Sequence, residues 1–357
     1  MLRVAALLLL RLLTGACVCA QPAAVQGLQL RELETQIAAG KFPKLTSLLV
    51  SREGHLLYEA YFGAGGRDHL NNTRSATKSL TALVVGRAIE DGKIENAEAR
   101  VLPFFSDLAP SGGADPIKED IRLKDLLTMS SAFAADDSDR GSPGNEDRMH
   151  EQKNWTRWIV DLSVRQDYQR NPSGYGPFRY ATANAVLAGQ VVQRATGRPV
   201  DAYMADVLFT PLGITQYTFQ KSPSGEVMTG GGIELRAIDL WKIGQLVLDG
   251  GRYAGRQLIP ASWVTDCLTA HETDTGHPGT GYGYLFWHLD FPNGERRESG
   301  WYMAGNGGNM ILMLPALKAV VVITRTAYNS PTARQDSFSM VSSFVLPALT
   351  RAALPGG

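Results

Sequence analysis

Apolar and polar positions along this chain follow helical spacing in some stretches and strand-like runs in others. Leu28 to Ala39 reads as a helix ended by Gly40. Leu45 to Val50 and His55 to Tyr61 are largely apolar, β-prone runs on either side of Ser51-Arg52-Glu53-Gly54, the pattern of a hairpin. Residues 68–73 are rich in helix-capping types. Ala76, Leu80, Leu83, Val84 and Ala88 then recur at helical spacing until Asp91-Gly92 stops them. The middle, about residues 95–235, reads as mixed helices and long polar loops. Ala183 to Thr196 is a predicted helix with Gly197 as its stop. Ala134 to His150 holds Asp136, Asp137, Asp139, Glu146 and Asp147, without the order of a calcium loop, and reads as a solvated loop. Strands return in the last third over Gly283–Leu289, Met310–Leu314 and Val320–Thr326. Residues 315–318 turn between the last two. Ser337 to Leu346 is a predicted closing helix with Pro347 just past its end. Strands at both ends with helices between them predict an α+β fold. Its sheet is assembled from both termini and flanked by helices, and a mostly helical lobe is inserted.

The first twenty residues form a different object. Met1-Leu2-Arg3 is a short basic start, Val4 to Ala20 is apolar apart from Arg11, and Val18-Cys19-Ala20 fits a small-residue cleavage site. That pattern predicts an export signal over residues 1–20 and a mature chain from Gln21, secreted or periplasmic. A lipoprotein or signal-anchored form is the alternative. The apolar stretch is shorter than the roughly 20 residues a membrane span needs, so no span is expected once the signal is removed. Cys17 and Cys19 would leave with it. The mature chain would keep only Cys267, in a predicted helix after Pro260, which reads as a buried structural thiol.

Composition narrows the picture little. The chain has 357 residues, 44% of them hydrophobic, and 35 basic residues balance 35 acidic ones. That balance offers nucleic acid no electrostatic footprint. The histidines show no H-x-x-x-H spacing and the cysteines no C-x-x-C, so neither a metal nor another cofactor is expected.

Candidate chemistry enters with Ser75-Ala76-Thr77-Lys78. A serine hydroxyl is a weak nucleophile without a base beside it. Residues i and i+3 of a helix share a face, about 5–6 Å apart at Cβ, so Lys78 can reach Ser75. By itself this spacing is a weak signal, because a chain of this composition shows about one by chance. Phe178-Arg179-Tyr180-Ala181-Thr182 supplies a tyrosine just before a predicted helix. No G-x-S-x-G occurs, which argues against an α/β-hydrolase elbow. Gly230-Gly231-Gly232 lacks the strand and lysine of a nucleotide loop.

With these residues in place, the chain resembles a serine hydrolase of the β-lactamase-related family. That group contains class C β-lactamases, D-alanyl-D-alanine carboxypeptidases, carboxylesterases of β-lactamase fold and 6-aminohexanoate-oligomer hydrolases. Ser75-Ala76-Thr77-Lys78 matches its S-x-x-K element. Leu126 to Ser131 is similar to its LLTMxSG segment. Phe178-Arg179-Tyr180 followed by Leu187-Ala188-Gly189 resembles F-x-Y-x-N…LLG, Leu208 to Gly213 matches LFxPLG, and Gly230-Gly231-Gly232 matches the GGG before a helix. The resemblance covers nearly all of the mature chain. It implies a β-lactamase/transpeptidase-like fold with an antiparallel sheet, an α/β lobe of about residues 21–74 and 236–357, and a helical lobe of about 75–235.

Two departures bear on substrate. The family's Y-x-N is here Tyr180-Ala181-Thr182, so Thr182 replaces a side-chain amide with a hydroxyl in what the resemblance makes a substrate position. The K-T-G or H-x-G element should fall within residues 303–308, Met-Ala-Gly-Asn-Gly-Gly, which contain neither lysine nor histidine. In the family's β-lactamases and peptidases that element helps hold a substrate carboxylate. Its absence argues against penicillins, cephalosporins and D-Ala-D-Ala peptides. The glycines still suit the close backbone approach of an oxyanion strand, with Gly305 and Asn306 as the candidate residues.

The expected reaction is acyl transfer through an ester on Ser75, acting on a small-molecule ester or amide. Either Lys78 or Tyr180 removes the serine proton. Lysine would need its pKa lowered by about three units, whereas a Tyr180 phenolate would need Lys78 as a cation. A cell-wall D-Ala peptidase or weak β-lactamase is the rival enzyme reading, and a non-catalytic ligand-binding relative is the rival outside enzymology. Trp155, Trp158, Trp287, Trp301 and Tyr302 are candidates for an apolar cleft or for core. Oligomeric state leaves no signal in these residues.

Overall fold

The computed structural model describes residues 30–108, 115–272 and 274–351. The expected export signal, with Cys17 and Cys19, lies outside the described residues. The early hairpin is β1 (Leu45–Arg52) and β2 (His55–Tyr61), joined through Glu53 and Gly54 at positive φ. All eight residues of β1 are buried, as suits a strand inside a sheet. Late in the chain come β3 (Thr280–Tyr282), β4 (Trp287–Asn293), β5 (Arg296–Gly305), β6 (Asn309–Leu314) and β7 (Ala319–Arg325). The order β2-β1-β7-β6-β5-β4-β3 gives one antiparallel sheet built from both ends of the described chain. Inside it, β7 carries the β-branched run Val320-Val321-Val322-Ile323, fully buried.

The helices that position the site are α1 (Arg31–Ala38), α2 (Thr77–Glu90), α3 (Glu146–His150), α4 (Thr182–Thr196), α5 (Ala237–Leu248) and α6 (Ala333–Met340). Helix α5 lies directly on β6 and β7. A Cβ on its Gly244 would fall 2.7 Å from Val320 and 2.9 Å from Ile311, so the close seating requires glycine. Helices α2 and α4 pack on each other. Each is buried continuously through its first ten residues, from Thr77 to Gly86 and from Thr182 to Gln190 and beyond. Helices buried all round belong to the core of a large domain. Their polar first turns, with Lys78 and Thr182, are therefore carried into the interior. No helix among the described residues is long and apolar enough to cross a membrane.

Three elements differ from the sequence expectation. Of β5 only the end near Gly305 was expected, as an oxyanion strand; its first half, Arg-Arg-Glu-Ser, is exposed and carries no strand pattern, and its pairing with β4, from Arg296 opposite Asn293 to Tyr302 opposite Trp287, makes it a strand. β4 starts later than Gly283 because residues 283–286 bend, with Leu285 at φ 61°. The closing helix starts at Ala333, widens into a π turn over Val341–Val345 and continues over Leu346–Arg351, so that Pro347 lies inside it. Proline cannot donate to the carbonyl four residues back and collides with it; the wider turn just before Pro347 changes that pairing.

Candidate active site

The chain reaches Ser75 through a short strand, Leu70–Asn72, paired with Glu234–Arg236. Arg74 then adopts φ 50°, its N–H donates to Asn72 Oδ1 at 2.9 Å, and its guanidinium lies 3.9 Å from the Tyr328 ring centre. A non-glycine residue in this region costs about 1–2 kcal/mol, and these contacts hold the turn against that cost. The result is a single 3-10 turn, Arg74–Ala76, running into α2. It leaves Ser75 half-buried at the wall of a cavity of about 780 Å³.

One turn on, Lys78 is buried and its ammonium is fully engaged. Nζ donates to Ser75 Oγ at 3.1 Å, to Thr182 Oγ1 at 2.9 Å and to the Gly230 carbonyl at 2.6 Å. It lies 5.1 Å from the centre of the Tyr180 ring. Burial would lower the Lys78 pKa, but the charges of Tyr180, Glu146 and Asp137 outweigh it, and the net direction is upward. The surroundings thus favour the charged lysine. Gly230, the first of the three glycines that match the family's GGG, is a direct partner of Lys78. A Cβ there would sit 2.6 Å from the Thr182 methyl.

Tyr180 lines the same cavity, stacked on Trp287 at 5.8 Å between ring centres and edge-on to Tyr282 at 6.5 Å. Its segment is held from two sides. The Met129 carbonyl, at a residue with φ 58°, accepts from Arg179 N–H at 2.8 Å. On the other side, Asp137 N–H donates to the Tyr180 carbonyl at 2.8 Å, and Asp137 Oδ2 accepts from Thr182 N–H at 2.6 Å. The polar loop 134–150 is therefore not the solvated loop expected. Asp137 and Glu146 line the cavity, and Asn145 Nδ2 bridges the carbonyls of Asp136, Asp137 and Asp139. Burial pushes the Asp137 carboxyl up to about 6 against the pull of Lys78. Glu146 is driven the other way. Burial would raise it, but His150 and Lys78 together hold it below the usual range.

Ser75, Tyr180, Gly305 and Asn306 share the cavity wall, with Lys78 directly behind Ser75. Thr182, expected at a substrate position, is fully buried behind Lys78 and is not part of that wall. Its hydroxyl is short enough to be absorbed by the lysine at the first turn of α4. The Asn306 side chain forms a reciprocal pair with Asn329, donating to its Oδ1 at 2.7 Å and accepting from its N–H at 2.8 Å, and the Asn306 carbonyl accepts from Asn309 Nδ2 at 2.8 Å. At Gly305, a Cβ would lie 2.2 Å from the Thr73 carbonyl, so the end of β5 runs against the segment leading into Ser75. Gly305→Ala is expected to lower the rate of serine-directed labelling about 10²-fold, as the misplacement of an oxyanion strand would. Labelling time courses with equal amounts of folded protein check this.

The missing lysine or histidine of residues 303–308 does not leave the cavity without a cation. Arg334, on α6, lines it, donates to Tyr302 Oη at 3.2 Å and lies 5.4 Å from the Trp287 ring centre. Among the described residues no carboxylate pairs with it, and its buried Nε has no partner. Arg179 also lines the cavity but is paired with Asp167 at 3.0 Å. Arg325 is buried away from it against Asp336. No sequence signal marked Arg334, because only the fold of the chain end brings α6 beside β5. Of the aromatic candidates, Trp287 and Tyr302 line the cavity, and Trp155 belongs to the core. Cys267 is fully buried, and that burial pushes its thiol pKa up, as a structural cysteine requires.

Known proteins share this fold. The family model described as Beta-lactamase matches residues 31–341. A 6-aminohexanoate-dimer hydrolase of Paenarthrobacter ureafaciens is 26% identical over 274 residues, covering 74% of this chain and 66% of the relative. Overall the chain spans about half to two thirds of the length of the curated relatives it matches. Among solved structures, an octameric penicillin-binding protein homologue from Pyrococcus abyssi superposes with a TM-score of 0.64 at 19% identity, over 90% of this chain and 77% of the other. EstCE1, a hydrolase with promiscuous acyltransferase activity, gives 0.66 at 15% identity, over 88% and 95%. The fold is the β-lactamase/transpeptidase-like fold, and the chain belongs to the beta-lactamase family.

Proposed function

We propose that the protein is a serine hydrolase that cleaves an ester or amide bond through an acyl ester on Ser75. The observation that carries this reading is the 3.1 Å hydrogen bond from Lys78 Nζ to Ser75 Oγ at the wall of the cavity, with Tyr180 beside both. We assign Lys78 the role of the cation and Tyr180, as its phenolate, that of the proton acceptor. Ser75 Oγ attacks the carbonyl carbon as its proton passes to the Tyr180 phenolate oxygen, beside the Lys78 ammonium. The carbonyl oxygen takes the negative charge and is held by the N–H of Ser75 and the N–H at Asn306. Tyr180 returns the proton to the departing alkoxide or amine, and the acyl–serine ester remains. Water then repeats the sequence and restores the serine. The 6-aminohexanoate-dimer hydrolase among the similar proteins supports the reaction class. Intact mass after a fluorophosphonate probe, followed by peptide mapping, tests the reading: one adduct is expected, on the peptide containing Ser75.

Arg334 bears on the substrate. A guanidinium in a cavity without an acidic partner favours an acyl substrate that carries an anionic group. Arg334→Ala is expected to raise KM for p-nitrophenyl hemisuccinate about tenfold and leave p-nitrophenyl butyrate within about twofold. Steady-state kinetics on the two esters read the difference directly. Nitrocefin, which also bears a carboxylate, belongs on the same panel, since Arg334 keeps the cell-wall peptidase or weak β-lactamase reading open. Equal effects on both esters would assign Arg334 to packing against Trp287 and Phe338.

A further inference from the structure

We propose that Asp137 is a positioning residue of this site, its carboxylate bracing the Tyr180–Thr182 segment and, through Thr182, setting Lys78 against Ser75. The inference rests on the acyl-serine reading above and adds a residue that the motifs do not mark. Three hydrogen bonds make the brace. Asp137 N–H donates to the Tyr180 carbonyl at 2.8 Å, Oδ2 accepts from Thr182 N–H at 2.6 Å, and Oδ1 accepts from Glu146 N–H at 2.9 Å. Tyr180 and Thr182 flank Ala181, which is fully buried, so this stretch is clamped at both ends. The Thr182 hydroxyl in turn receives Lys78 Nζ at 2.9 Å, and the same Nζ donates to Ser75 Oγ. A path of four hydrogen-bonded or adjacent groups therefore runs from Asp137 to the proposed nucleophile. The Asn145 side chain holds the carbonyls of Asp136, Asp137 and Asp139, so the loop that carries the brace is itself fixed.

The charge of Asp137 matters as well as its shape. An ionised carboxylate accepts both N–H bonds and favours the ammonium of Lys78. Burial sets its titration near pH 6. Below that pH the carboxyl gains a proton, Lys78 loses a counter-charge, and the bond from Thr182 N–H weakens. Above it the brace is complete. Activity should therefore rise with pH through about 6. The other titratable or charged groups around Asp137 are Lys78 on α2, Glu146 and His150 on α3, Asp136 on the same loop, and Arg179 and Tyr180 on the segment it braces. Glu146 is held below the usual carboxylate range, which places its own titration at more acid pH. His277, across the cavity, is shifted down by burial and by Arg334, and it needs its own control.

The test is the rate of fluorophosphonate labelling of the full chain from pH 4.5 to 8.5, for the unmodified protein and for Asp137→Asn, Asp137→Glu, His277→Gln and Ser75→Ala. The unmodified protein is expected to show an acid limb centred near pH 6. Asp137→Asn should label about 10²-fold more slowly at pH 7.5, as a small misplacement of reacting groups allows, and the limb should vanish. Asp137→Glu, which keeps the charge, should recover part of the rate and a limb. His277→Gln should keep the limb. A limb that persists in Asp137→Asn, or one that disappears in His277→Gln, overturns the proposal. So does an Asp137→Asn protein that merely yields less folded material while its folded fraction labels at the unmodified rate, because that is a structural role alone. Failure of the acyl-serine reading is separately visible as labelling that survives in Ser75→Ala.

Discussion

Ser75→Ala is expected to lower turnover of p-nitrophenyl butyrate by on the order of 10⁴-fold or more and to abolish the fluorophosphonate adduct, while the protein stays folded. The loss is large because no other hydroxyl takes the place of the nucleophile. Thr182 is the nearest candidate by chemistry, but it is fully buried behind Lys78, away from the cavity wall. Ser138, Ser330 and Ser337 line the cavity, yet none of them receives a hydrogen bond from the Lys78 ammonium, whose three protons go to Ser75, Thr182 and Gly230. The fold should tolerate the change. Ser75 is only half-buried, and alanine suits the turn into α2. The Lys78 ammonium keeps two of its three acceptors. Rate assays paired with a thermal melt separate the two effects. A Ser75→Ala protein that still forms a covalent adduct would assign the nucleophile elsewhere and remove the basis of the proposed function.

The second large effect is the joint behaviour of Lys78 and Tyr180. Lys78→Ala and Tyr180→Phe should each lower turnover by about 10³-fold or more, and the double variant should fall little further. Groups that move one proton act as a unit, and removing either member ends the transfer. The geometry favours this behaviour over two independent contributions. One ammonium holds Ser75 Oγ and lies 5.1 Å from the Tyr180 ring centre, so Tyr180 stands beside the Lys78–Ser75 pair. The single variants should differ in stability. Tyr180→Phe keeps the stacking on Trp287. Lys78→Ala leaves the Gly230 carbonyl without its donor, at a cost of about 1–3 kcal/mol for an unsatisfied buried group. It also leaves Asp137 and Glu146 without the cation that opposes their burial. Pre-steady-state rates for both singles and the double decide the matter, and losses that add in full on a logarithmic scale would indicate separate roles.

What the sequence determined by itself is the set of local elements and the residues that local geometry brings together. The hairpin of β1 and β2 was legible because two short apolar runs flank a Gly-containing turn, and α2 and α4 because apolar spacing and stop residues mark them. Ser75 and Lys78 were legible as a pair because one helical turn separates them, and Tyr180 because it opens the next buried helix within a motif order that resembles a known family. The tertiary structure decided everything that depends on groups far apart in the chain. The charged start of β5 carries no strand pattern, and its partner β4 made it a strand by supplying the register. The loop 134–150 looked solvated by composition, yet it folds back so that Asp137 braces Thr182 and Tyr180. Burial of a charged group is set by what covers it, which no window of the sequence contains. Thr182 moved from the expected substrate position to a place behind Lys78 because α2 and α4 pack at their first turns. Arg334 carries no motif, and it reaches the cavity only because the chain end returns to lay α6 beside Tyr302 and Trp287. Helix and hairpin signals act over a few residues, whereas the electrostatics of this site are the sum of charges contributed by five separate stretches of the chain.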